Sequence, residues 1–398
     1  MRVYLDYAAT TPIRKEVLEA MRPYLEKDFG NPSSIHSWGQ RARKAIDESR
    51  AEIAKFLGCQ SEEIIFTGGG SEADNLAIHG VIAGLGAKIN PHIITSAFEH
   101  HAVLKPCEDL EKRGLATVTY IRPNKEGIIA VEKIKKAIRL NTVLVSIMYV
   151  NNEIGTIQPI REIGKMIEVE NKKRKSIVGS RKAIFFHTDA VQATEYLPMN
   201  VDYLHVDMLT IAGHKIGAPK GVGLLYIRKG TPIRAIIHGG EQEKGLRAGT
   251  ENVPYIVGLT KAIDLIKNAN LKNLRDCFIE RVIKEIPEVY LNGSKTFRVP
   301  HIVNFYFKNI EGESIVLGLD LEGIACSTGS ACTSQALEPS HVIMSIFNDH
   351  FRAAGSVRFS LSKLTTKAEL DFAIEKIKEI VARLREISPY TKEKNEYR

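Results

Sequence analysis

Between residues 50 and 230 the chain repeats one pattern, a short continuous apolar run, a small or polar turn, then a stretch with helical periodicity. The apolar runs are 64–66, 93–95, 117–121, 143–148, 183–187, 208–211 and 223–227. Runs this uniformly apolar do not suit a strand with one face in water. They predict strands buried on both faces, in a mostly parallel central sheet covered by helices. Ligands of such sheets bind beyond the carboxyl ends of the strands, so the residues that follow each run are the place to look for chemistry.

After about residue 262 the pattern changes. A helical segment at 271–285 precedes an alternating strand at 302–307, a short strand at 357–360 and a final helix. Thr366 and Glu369 have the spacing of a capping box for that helix, and Leu370, Ile374, Ile377, Val381 and Leu384 form its apolar stripe. This part reads as a smaller α+β domain. The expected division is a large domain at 14–261, a small domain made of 1–13 with 262–390, and a frayed charged tail at 391–398.

With 398 residues, 44% hydrophobic and 26% charged, the chain can build a core for each domain. Its apolar runs are too short for a membrane span, and residues 1–6 lack the apolar stretch of a signal peptide, so a cytoplasmic location without a membrane partner is expected. The net charge of +8 is spread along the chain. Its densest cluster, Lys172 to Lys175, reads as a solvated surface, and no direct nucleic-acid partner is expected. The five cysteines (Cys59, Cys107, Cys277, Cys326 and Cys332) contain no Cys-x-x-Cys pair, which points away from a disulfide framework or a zinc site.

Several turns after strands carry chemistry-bearing residues. Lys215 lies in Thr210-Ile211-Ala212-Gly213-His214-Lys215, and Asp189 follows another apolar run. A lysine amine in such a setting can form a Schiff base, and a carboxylate can keep a pyridine nitrogen protonated, which together describe pyridoxal 5'-phosphate chemistry. Each alone reads equally well as a surface lysine or a helix cap. Gly68-Gly69-Gly70-Ser71 runs from a strand into a helix and offers backbone amides to an anion, with Ser71 and Asp74 suited to the helix start; a tight turn explains the glycines equally well. His100 or His101 projects over the same crevice, where an imidazole can stack on a planar group or move protons. Asn152 and Gln192 can address the edges of a ring. Cys332, in Ser327-Thr328-Gly329-Ser330-Ala331-Cys332-Thr333-Ser334, has no apolar periodicity to bury it and is expected on a mobile, accessible loop at 327–342. Arg358 can clamp a carboxylate or make a surface ion pair.

Taken in order, these segments resemble the pyridoxal-phosphate-dependent cysteine desulfurases of the iron-sulfur-assembly, long-loop group, within the class V aminotransferase superfamily. The likeness starts at Tyr4-Leu5-Asp6-Tyr7-Ala8-Ala9-Thr10-Thr11, passes through Gly30-Asn31-Pro32-Ser33-Ser34 and reaches Leu361. It implies the fold type I architecture and these roles: Lys215 as Schiff-base lysine and proton shuttle, Asp189 on the pyridine nitrogen, Gln192 on the phenolic oxygen, Asn152 beside the ring and His100 stacked on its face. Gly70, Ser71 and His214 match phosphate-binding positions, and Thr250 matches the one supplied by a second subunit, which implies a homodimer. Arg358 and Asn31 match substrate-binding positions. Cys332 matches the residue that takes sulfur from L-cysteine as a persulfide and can transiently ligate an iron-sulfur cluster. The implied outlets are an iron-sulfur scaffold or other acceptor protein, and tRNA thiolation. Selenocysteine lyase and an inactive sulfur-relay scaffold are the alternatives. The chain departs from the resemblance at Ala212, where relatives place a phosphate-binding serine that Thr210 could replace, at Glu241, and at Cys326, a second thiol read as a buried cysteine.

Overall fold

The computed structural model describes residues 1–86, 90–178, 183–266, 271–328 and 339–389. Its strands are β1 (Val3–Tyr4), β2 (Ile64–Thr67), β3 (His92–Ser96), β4 (Thr117–Ile121), β5 (Thr142–Ser146), β6 (Phe185–Asp189), β7 (Met208–Ala212), β8 (Gly223–Ile227), β9 (Val289–Leu291), β10 (Ile302–Phe307), β11 (Ile324–Ala325) and β12 (Ser356–Ser360). Strands β2 to β8 form one seven-stranded sheet in the order β2-β8-β7-β6-β5-β3-β4. Only β8 runs against the others, pairing antiparallel with both β2 and β7. The mostly parallel sheet and its helical cover are therefore as expected. β6 sits two residues later than its apolar run, so that Asp189 becomes the last residue of the strand rather than part of the turn.

Helices α1 (Lys15–Glu26), α2 (Ser37–Leu57), α3 (Gly70–Leu85) and α4 (His101–Lys112) are the first four of those that accompany the strands. Hydrophobic residues on the two faces of the sheet form separate clusters, one including Phe66, Ile94, Val145, Phe186 and Leu209, the other Ile65, Ile93, Leu144, Met208 and Leu225. The alternation along each strand between these clusters is the period-two geometry of a strand buried on both sides.

A third core joins Phe278, Phe305, Phe307 and Phe359 with Leu370, Ile374, Ile377 and Val381 of the last helix, Lys367–Ile387. The capping box forms as expected: Glu369 N donates to Thr366 Oγ1 and Thr366 N to Glu369 Oε2. β10 lies between β12 and β9. Its polar alternate position, Asn304, does not face water. It is fully buried, accepting from Asn292 Nδ2 at 2.7 Å and donating to the Glu153 carbonyl at 3.2 Å. This small sheet therefore lays a polar contact on the loop after β5, which carries Asn152. Val342, Ile343 and Ala353, although late in the chain, pack into the core of the large sheet.

Candidate active site

Lys215 ends a single 3-10 turn, Gly213–Lys215, that follows β7 directly. Its Nζ donates to the carbonyls of Ala8 and Ala9, both at 2.7 Å. The N-terminal segment is held in turn by Ala8 N donating to Ser360 Oγ and Gln192 Nε2 donating to the Ala8 carbonyl, each at 2.9 Å. A cavity of about 360 Å³ opens here, and its wall brings together Lys215, His214, Asp189, Gln192, Asn152, His100, Gly70, Ser71 and Arg358. These come from the ends of several strands, as the crevice rule for such sheets requires. A larger cavity of about 750 Å³, between α1, α2 and the helix Val253–Asp264, contains none of these residues.

The wall carries two carboxyls. Asp189 accepts from Val191 N at 2.9 Å, and burial raises its pKa to about 6 against the pull of that amide and of Lys215. Asp74, which the sequence suits to a helix start, lies one turn inside α3, whose cap position is Gly69, and is 1% exposed. Burial, with Asp189 as a like-charged neighbour, raises its pKa. Its Oδ1 is 3.6 Å from His187 Nε2. Burial pushes His187 down to about 3, so this imidazole is neutral and brings no balancing charge. Thr210 does not take the place of the missing serine at Ala212: its side chain is fully buried and bonded to His187 Nε2 at 3.1 Å, and it is not part of the cavity wall.

At the other end of the cavity the chain enters α3 through Gly69, whose φ of 149° is open to glycine but strained for other residues. A Cβ on Gly70 would stand 3.1 Å from Val191 Cγ2 and 3.2 Å from Ala212 Cβ. Glycine at 70 and alanine at 212 thus let β7 and the helix N-terminus approach closely. The first-turn amides and dipole of that terminus, with Ser71 beside them, suit a phosphate. His214 Nδ1 is 3.3 Å from Thr10 Oγ1, and burial, then Lys215, push its pKa to about 4.

His100 caps α4, its Nδ1 accepting from Ala102 N at 3.1 Å, which leaves the ring proton on Nε2. Burial, then Lys215, push its pKa to about 4, so it is neutral at ordinary pH. Asn152 Oδ1 is buried without a hydrogen-bond partner among the described residues, an acceptor available to a ligand. Arg358, expected either to clamp a carboxylate or to make a surface ion pair, makes an ion pair that is buried. It is 3% exposed, donating from NH2 to Asp6 Oδ1 at 2.9 Å and from NH1 to the Asn152 carbonyl at 2.8 Å. Its Nε is buried with no hydrogen-bond partner among the described residues.

Two expected site residues stand apart. Asn31 is exposed, and its side-chain oxygen accepts from Ser33 N at 2.9 Å within its own turn. Thr250 is exposed and borders a different cavity, of about 210 Å³, together with Thr67, Gly68 and Arg247. Cys332 lies outside the described residues. Cys326, expected to be buried, is half-buried against the third core, and the burial of its thiol raises its pKa. The sequence gives Asp74 only a role at the helix start, and it does not mark Asp6 or the carbonyls of Ala8 and Ala9 as groups of the site. For Asp74 a signal existed, since Gly70, Asp74 and Ala77 recur at the helical spacing that faces the sheet.

The aminotransferase class-V family model matches residues 3–372, and the chain belongs to that family. It is 52% identical over 397 residues to the cysteine desulfurase IscS of Dictyoglomus turgidum, covering 98% of this chain and 97% of the relative. Among solved structures, a NifS-like protein superposes with a TM-score of 0.87 at 34% identity, over 96% of this chain and 100% of the other. SspA in complex with cysteine superposes with a TM-score of 0.80 at 37% identity, over 92% and 100% of the two chains. No described helix is long and apolar enough to cross a membrane.

Proposed function

We propose that this protein is a cysteine desulfurase that binds pyridoxal 5'-phosphate beside Lys215, converts L-cysteine to L-alanine and passes the sulfur to Cys332 as a persulfide, for iron-sulfur cluster assembly. The carrying observation is the convergence on one cavity of a lysine amine, a strand-end carboxylate, a neutral imidazole and a buried guanidinium. The full-length likeness to relatives named for this activity supports the same reading. The residues present fit the cofactor. The glycine cradle and the N-terminus of α3, with Ser71 and His214, would hold its phosphate, Asp189 its ring nitrogen, and Asn152 and Gln192 its ring edge.

When bound, the pyridoxal ring supplies a sink for the negative charge that develops at the substrate carbon. Lys215 holds the reacting amine in place and moves the proton. Asp189 stays ionised against a protonated ring nitrogen, a role that its buried position makes strong because little water competes there. Arg358 offers Nε and the adjoining edge to the substrate carboxylate, oriented by Asp6 and the Asn152 carbonyl. His100, neutral with its proton on Nε2, can lie against the ring without adding charge. Cys332 as a thiolate forms the sulfur-sulfur bond while the carbon-sulfur bond breaks. The family resemblance gives Thr250 to the phosphate site of a second copy and so implies a homodimer; its exposure outside its own chain's cavity supports that reading.

The test incubates the protein with pyridoxal phosphate and sulfur-labelled cysteine, measures alanine, and maps labelled thiols by mass spectrometry in wild type, Cys332→Ala and Lys215→Ala. Label on Cys332, and neither label nor alanine in Lys215→Ala, is expected. Label persisting in Cys332→Ala at another thiol would move the acceptor, and turnover of selenocysteine alone would overturn the substrate.

A further inference from the structure

His301 is a buried histidine outside the catalytic set, and it touches a residue of the cofactor site. It stands just before β10, with its carbonyl accepting from Leu361 N at 2.7 Å. Its ring stacks on Tyr196, centroids 4.1 Å apart and planes 16° apart. Its Nε2 is 3.3 Å from Gln192 Oε1.

Two hydrogen bonds read in sequence fix the direction of this contact. The Ala8 carbonyl can only accept, so the Gln192 group facing it at 2.9 Å must be the amide nitrogen. That places Gln192 Oε1, which can also only accept, toward His301, so Nε2 of the imidazole must carry a proton. Nδ1 is buried with no hydrogen-bond partner among the described residues. With the proton on Nε2, that unmet atom is a lone pair. With the proton on Nδ1, a buried N–H would be unmet and two lone pairs would face each other at Gln192, which costs more. Protonating both nitrogens is opposed by burial and by the Arg358 and Arg275 charges, which push the pKa to about 3.

We propose that His301 is a positioning residue for the cofactor: by donating from Nε2 it locks the Gln192 amide so that its second N–H is presented to the phenolic oxygen of the pyridoxal ring. This rests on the cofactor reading above. The contact also ties the segment before β10 to the turn after β6, so the small sheet helps to set one edge of the ring site.

The test has two parts, one of which needs no cofactor. Nitrogen-15 NMR of the apoprotein is expected to show His301 as the neutral Nε2–H tautomer throughout pH 5 to 8; the Nδ1–H tautomer would overturn the proposal. Titration of apoprotein with pyridoxal phosphate, followed by visible absorbance, then compares wild type with His301→Phe, which can keep the stack on Tyr196 but cannot donate, and with His301→Gln, whose amide nitrogen reaches about as far as Nε2. Affinity about tenfold weaker and an altered pH profile of the absorbance in His301→Phe, with both regained in His301→Gln, are expected. Wild-type affinity and spectrum in a folded His301→Phe would overturn the proposal. If wild type itself gives no absorbing complex, the cofactor reading fails, while the tautomer measurement still decides whether His301 holds Gln192.

Discussion

Two buried acidic sites, Glu243 and the pair Asp189 with Asp74, differ in how their charge is met. Glu243 has both oxygens matched: Arg50 donates to Oε1 at 2.7 Å and to Oε2 at 2.9 Å, and Phe66 N donates to Oε2 at 2.8 Å. This pairing holds Glu243 and Lys244 in left-handed backbone, at φ 46° and 60°, and so fixes the loop that leads to Thr250. Asp189 and Asp74 are as deeply buried, yet no guanidinium bonds either of them among the described residues, and the imidazole beside Asp74 is neutral. A fully matched buried charge shapes a loop. An under-matched pair has its electrostatic need left for a ligand to meet, which is how sites with shifted pKa values commonly arise.

The sharpest way to break this contrast is to remove one charge from each site. Arg50→Ala leaves Glu243 buried and uncompensated, and should lower stability by about 3–5 kcal/mol in urea unfolding. The paired change Arg50→Met with Glu243→Leu should cost less, and a larger loss in the double variant would refute the matched-pair account. Asp189→Asn should act in the opposite sense. It removes an unfavourable buried charge, so the apoprotein should be no less stable than wild type, while on the proposed role of Asp189 alanine formation by the loaded enzyme should fall on the order of a hundredfold or more as the ring nitrogen loses its anionic partner.

Acidity gives a smaller but more specific comparison. Asp189 holds its proton more tightly in the native state, at about 6 against its usual 3.8. The native state therefore binds more protons than the unfolded chain between those values. Apoprotein stability attributable to this group falls as pH rises from about 4 to 6, and is recovered as pH drops. Unfolding curves at pH 4.5 and 6.5 should show a weaker fall in Asp189→Asn than in wild type. The smallest expected effect is at Ala212. A hydroxyl there, in Ala212→Ser, should tighten pyridoxal phosphate binding a few-fold by adding one hydrogen bond near the helix terminus. Weaker binding would mean that the 3.2 Å clearance between Ala212 Cβ and a Cβ placed on Gly70 leaves no room to spare even beside glycine.

Much of the architecture was legible because it follows from local periodicity. The seven apolar runs became the seven strands of the large sheet, and the capping box and stripe of the last helix are as expected. The gathering of Lys215, Asp189, His100, Asn152 and Gln192 followed from the rule that strand ends share one crevice. What escaped were residues whose meaning depends on distant partners. Asp74 looked like a cap and is a buried neighbour of Asp189. Asn304, a polar residue within the alternating strand, is buried against the Glu153 loop. Arg358 reads from sequence as a carboxylate clamp or a surface ion pair, and its ion pair, with Asp6 352 positions away, is buried.

The sequence by itself determined which segments are strands and helices, and the chemical types available at each turn, because apolar spacing and glycine placement act within a few residues. Only the tertiary structure decided which carboxyls lose water, which tautomer an imidazole holds and which edge of a guanidinium remains open. Those are set by low local dielectric and by hydrogen-bond partners brought from far along the chain, and no short-range pattern encodes them.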